Sequence, residues 1–142
     1  MQKIKNIFLK NSCFSFSIDE KNIYKGIYNE KYSNPAFDFY KNGQWKLFAY
    51  TWEEFLHLIN VFIGLDCGWK KIKDSSLFGH NVIYINEREE KFLSYKKNKG
   101  ITTIEKRKFN GELIDNKKML ISKEDLQLAI FDLITTEKIK WK

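Results

Sequence analysis

Two stretches of equal length decide the reading of this chain: KLFAYTWEEFLHLINVFIGL at 46–65 and KKMLISKEDLQLAIFDLITT at 117–136. Each begins as a short apolar strand, passes a hydroxyl residue and continues with apolar positions at helical spacing. Thr51 and Glu54 have the spacing of a capping box, in which the hydroxyl and the acid satisfy the first free amides of a helix. Ser122 and Asp125 repeat that spacing. The pattern predicts helices from Trp52 to about Leu65 and from Lys123 to about Thr136. Thr51 and Ser122 lie 71 residues apart, half of the 142. In that register Glu53 falls on Glu124, Phe55 on Leu126, Ile59 on Ile130 and Ile63 on Ile134. An internal duplication follows.

Upstream of the first helix, Ser12–Ile18 alternates, with Phe14, Phe16 and Ile18 on one face and Ser15 and Ser17 on the other. Asn22–Tyr28 and Ala36–Tyr40 read as further strands. Asn42-Gly43 is a two-residue hairpin signal before Trp45–Tyr50. The second half repeats the plan with strands at Val82–Asn86, Lys91–Lys97, Ile101–Phe109 and Lys118–Ile121, and turns at Asn98–Gly100 and Asn110-Gly111. The expected fold is α+β: two antiparallel β-meander-plus-helix repeats, with the helices packed between or beside the sheets. Residues 1–65 form the first repeat, 66–81 an irregular join and 82–142 the second repeat.

The helix at 52–65 carries apolar residues around roughly twice the arc that covering one sheet requires. That surplus predicts a second buried surface, either the other helix or another subunit. Phe55, Leu58, Ile59 and Phe62 are the expected contacts of a homo-oligomer, a dimer or tetramer.

Little in the chain supports catalysis. The two histidines, His57 and His80, stand in no metal-binding spacing, and Cys13 and Cys67 form no CxxC pair. No phosphate-binding glycine loop is present, and the acids at Glu87, Glu89 and Glu90 alternate with basic residues. No catalytic residue, metal or cofactor is expected. The opening residues Met1–Lys10 lack the apolar run of a signal peptide, and no stretch is long enough to span a bilayer. A cytoplasmic protein without a membrane partner is the expectation.

The net charge is +7, which favours an anionic partner. Between Lys91 and Lys118 nine basic residues face three acids, so most of the excess sits on strands. Alternation places Lys91, Leu93, Tyr95 and Lys97 on one face, and Thr102, Ile104, Lys106 and Lys108 together on the next strand. Lysines beside aromatic rings on a sheet suit single-stranded nucleic acid: cations follow the phosphates and rings stack on unpaired bases. Duplex recognition more naturally uses a basic helix, and both helices here begin with acids.

The second half, KFLSYKKNKGITTIEKRKF followed by KKMLISKEDLQLAIFDLI, resembles the C-terminal domain of the coactivator positive cofactor four. Taken with the duplication, the plan is similar to the Whirly family of single-stranded-DNA-binding proteins. Tyr24-Lys25-Gly26 echoes that family's Lys-Gly strand, although Ile27-Tyr28-Asn29 departs from the small residues expected after it. The resemblance implies sequence-tolerant binding of single-stranded DNA or RNA and oligomers formed through the helices. By position it assigns contacts to Lys25, Lys91, Tyr95, Lys97, Lys106 and Lys108, with Trp45 as a stacking ring. A competing expectation is a small inhibitor or immunity protein of a phage or mobile element, whose partner is a defence or toxin nuclease.

Overall fold

The computed structural model describes residues 3–31, 33–120 and 122–142, with the side chains of Asp74, Met119 and Leu120 left aside. The order is α1 (Lys3–Asn11), β1 (Cys13–Ser17), β2 (Ile23–Asn29), β3 (Ala36–Lys41), β4 (Gln44–Ala49), α2 (Trp52–Asp66), β5 (Lys70–Leu77), β6 (His80–Asn86), β7 (Lys91–Asn98), β8 (Ile101–Lys108), β9 (Leu113–Leu120), α3 (Lys123–Thr135) and β10 (Lys140–Trp141). It is an α+β fold with two antiparallel five-stranded sheets and helices beside them. The strand orders are β10-β1-β2-β3-β4 and β5-β6-β7-β8-β9.

Both helix caps form as the sequence requires. The Glu54 amide donates to Thr51 Oγ1 at 3.2 Å, and the Asp125 amide to Ser122 Oγ at 3.0 Å. Asn42 and Gly43 both take positive φ, 51° and 81°, which gives the β3–β4 hairpin the twist of its strands. Ile121, the expected last residue of a strand before Ser122, lies outside the described residues.

Three elements depart from the sequence reading. The helix α1 was not anticipated; its Ile4 is buried and its Phe8 ring lies 6.2 Å from Phe14 and 5.6 Å from Phe37. The segment 66–81, expected as an irregular join, holds β5 and a tight turn at Phe78-Gly79. The two-residue β10 pairs Phe16 with Trp141 and Ser17 with Lys140 at the outer edge of β1. Thus each meander is followed by a helix and then by one more strand, and that strand joins the other meander: β5 pairs with β6, and β10 with β1. Lys140 follows Lys70 by 70 residues, so the trailing strands keep the period of the caps to within one residue.

Two compact units result, Met1–Ile59 with Thr135–Lys142, and Asn60–Ile134. In the first, Phe14, Phe16, Tyr24, Phe39 and Phe55 are fully buried. The Phe55 ring of α2 lies 6.1 Å from Phe14, 5.5 Å from Phe37 and 6.2 Å from Phe39, which seats the helix on β1 and β3. Gly26 leaves room for the Phe14 ring; a Cβ built there clashes with that ring's outer edge. Gly26→Ala is therefore expected to destabilise the protein by about 1–3 kcal/mol, since the buried Phe14 ring is packed against Phe8, Phe16 and Phe55. A denaturant melt of the variant checks this.

In the second unit Trp69, Tyr84, Leu93 and Ile104 are buried with Leu128, Phe131 and Leu133 of α3. Asn60 is buried and donates to the Gln127 carbonyl oxygen at 2.8 Å and to Gln127 Oε1 at 3.0 Å, joining the end of α2 to α3. The Tyr84 hydroxyl is buried without a hydrogen-bond partner among the described residues, and burial pushes its pKa up to about 12. The raised value keeps the folded phenol neutral where an unfolded tyrosine already ionises. Stability is therefore expected to fall as pH rises from about 10 to about 12, by about 1.4 kcal/mol per unit. Tyr84→Phe removes that slope and raises stability at neutral pH by about 1 kcal/mol or more, because an unpaired buried hydroxyl disappears. Melts across the alkaline range read both effects.

Candidate nucleic-acid interface

In the first sheet Phe37 and Phe39 point at α2, so alternation turns Asp38 and Tyr40 to the opposite face. The register carries the same face across the sheet: Lys25 lies opposite Tyr40, Tyr40 opposite Trp45, and Asp38 opposite Phe48. A shift in pairing at Phe39/Tyr40 brings Trp45 and Phe48, three residues apart, onto one side of β4. Their rings lie 6.1 Å apart, and Phe48 meets Tyr50 edge-on at 5.3 Å. Trp45, Phe48 and Tyr50 are 50%, 43% and 58% exposed, and Lys25 is exposed as well. Aromatic residues this open on an edge strand are unlike the core rings one layer below. The Trp45 indole is held in place, with Nε1 donating to Asp38 Oδ1 at 3.0 Å.

Lys25 and Trp45 are thus brought into one row, through Tyr40. The other expected contacts lie elsewhere, on the second sheet. Lys91, Tyr95 and Lys97 share a face with Leu93, Ile104 and Lys106, and that face is the one α3 covers. Lys106 is the clear correction: it is 7% exposed, donates from Nζ to the Leu133 carbonyl oxygen at 3.0 Å and lies 5.8 Å from the Trp69 ring centre. Its ammonium holds the last turns of α3 to the sheet and is closed to a ligand. Tyr95 is half-buried, with the Lys97 ammonium 6.0 Å from its ring centre.

Four of the nine basic residues counted in that meander have an acidic partner within the chain. Lys91 pairs with Glu89 at 3.3 Å, Lys108 with Glu112 at 3.1 Å, and buried Glu105 accepts both Lys96 at 3.6 Å and Arg107 at 2.9 Å. The side of this sheet away from α3 carries Phe92, buried under Phe78 at 5.0 Å, so its largest ring is not presented for stacking. Phe78, at the β5–β6 turn, is itself 49% exposed, but the first sheet gathers three such rings, Trp45, Phe48 and Tyr50, side by side.

Two of the four expected oligomer contacts, Phe55 and Ile59, need correction. Phe55 and Ile59 are fully buried within the single chain, while Leu58 and Phe62 are half-buried. Part of the apolar girth of α2 is absorbed within the chain, Phe55 by the first sheet, while Leu65 stays 59% exposed.

Sequence reasoning missed Asp38, Tyr40, Phe48 and Tyr50. The signal was the run WKLFAY at 45–50, where the rings at 45, 48 and 50 share a face only because the pairing shifts. Cys13 and Cys67 are free thiols. Among the described residues no three His, Cys, Asp or Glu side chains cluster as metal ligands, and no helix is long and apolar enough to cross a membrane. No protein-family model, curated protein or solved structure matches the chain.

Proposed function

We propose that this chain binds single-stranded nucleic acid, without catalysing a reaction, along the face of the first sheet turned away from α2. The observation that supports the reading is the row Lys25–Tyr40–Trp45, flanked by the exposed rings of Phe48 and Tyr50. A cation beside successive open rings is the arrangement that follows a sugar–phosphate backbone while unpaired bases stack. Both α2 and α3 begin with paired acids, and the basic α1, with Lys3, Lys5 and Lys10, is only nine residues long, so a long basic face for a major groove is not offered by these helices. The net charge of +7 supplies the long-range attraction.

Fluorescence anisotropy with single-stranded and duplex oligonucleotides across a salt series tests the reading. Single strands are expected to bind more tightly than duplex, with affinity falling as salt rises because phosphate contacts release counterions. Lys25→Ala is expected to reduce the salt slope by about 0.7, the value of one phosphate contact on a single strand. Trp45→Ala is expected to weaken binding about tenfold through loss of one stacked base, and to leave the salt slope in place. Folded protein that binds no single strand at low salt overturns the proposal.

A further inference from the structure

The exposed rings of β4 form one wall of a pocket of about 330 Å³, lined by Ser33, Asn34, Asp38, Trp45, Phe48 and Tyr50. That volume is at the lower end for a small-molecule site and suits a single flat base. Its chemistry is set by Asp38. The side chain is 1% exposed, and one carboxylate oxygen accepts from Trp45 Nε1. The other, Oδ2, is buried with no hydrogen-bond partner among the described residues. Buried acceptors are ordinarily paired, and an unpaired one favours any ligand that brings a donor.

We propose that this pocket selects a nucleobase carrying a donor edge, guanine above all, from the strand bound along the sheet. The inference rests on the function proposed above and adds a base preference to it. A carboxylate offers acceptors only, about four lone-pair directions over two oxygens, of which the structure fills one. Guanine presents two adjacent N–H donors, from N1 and N2, and can use both. Cytosine and adenine present one amino group each. In thymine and uracil the single N3–H lies between two carbonyl oxygens, which the carboxylate repels. Trp45 and Phe48 supply the stacking surface, which is tolerant of any base, so discrimination falls to Asp38 alone. The acid that makes poor sense for holding phosphate makes good sense for reading a base.

Thymine oligonucleotides with one internal guanine, cytosine, adenine or thymine, measured by anisotropy on the full chain, provide the test. The single guanine is expected to raise affinity about tenfold over the all-thymine strand, with cytosine and adenine between. Asp38→Asn keeps the shape but replaces an acceptor by a donor; the ratio of guanine to all-thymine affinity should fall to about one. A thermal melt of the variant verifies its fold, and the base series on the unaltered protein stands without it. Equal affinity for all four strands overturns the base preference and leaves single-strand binding intact. Binding to none of them overturns both.

Discussion

Phe55→Ala is expected to destabilise the protein by about 3–5 kcal/mol, a large share of the whole stability of a small protein. The ring is fully buried and lies within 6.2 Å of the Phe14, Phe37, Phe39 and Trp52 ring centres, so removing it opens a cavity that four rigid rings cannot collapse to fill. An interface role makes a different prediction, a shift in molecular mass at unchanged monomer stability. Denaturant unfolding together with solution mass across a concentration series separates the two. The expected result is a large fall in midpoint with no change in mass.

Lys106→Ala comes next, at about 3 kcal/mol. Its ammonium donates to the Leu133 carbonyl oxygen, a hydrogen bond with one charged partner and therefore worth about 1.5–3 kcal/mol. Its methylene stem is also buried beside Trp69, and that packing is lost with the charge. Had Lys106 been a phosphate contact, the same change would lower the salt slope of nucleic-acid binding. The expected outcome is a loss of stability with the salt slope unchanged at temperatures where the variant stays folded. Measuring both on one preparation decides between the roles.

These two residues show where sequence reading stops. The helices, the caps at Thr51 and Ser122, the hairpin at Asn42-Gly43 and the half-chain register were all legible, because each depends on local spacing and on residues with one dominant habit. Phe55 was correctly placed on an apolar face, but periodicity cannot say whether that face meets the chain's own sheet or another copy. Lys106 sits in strict alternation with Ile104 and Thr102, and alternation assigns it to a face without saying that a helix returns to cover that face. The strand β5 escaped notice because KKIKDSSL does not alternate and its hairpin, Phe78-Gly79, lacks the asparagine or aspartate that usually marks such turns. The pocket residues escaped because a pairing shift, invisible in sequence, sets which side of β4 its rings face. Lys25 and Trp45 were singled out separately, and only the strand register joins them.

The trailing strands carry a consequence for what half of this molecule is. A lone repeat would consist of a meander, a helix and a strand shaped for a sheet it does not own. It would leave the outer edge of its first strand open, with unpaired amides and carbonyls ready to recruit a neighbour. Two such pieces repair each other reciprocally, so the smallest self-sufficient object is the pair. Fusing both into one polypeptide turns that mutual dependence into an intramolecular event, in which Lys140 and Trp141, only two residues long as a strand, close the edge at which the opposite end of the chain begins its sheet.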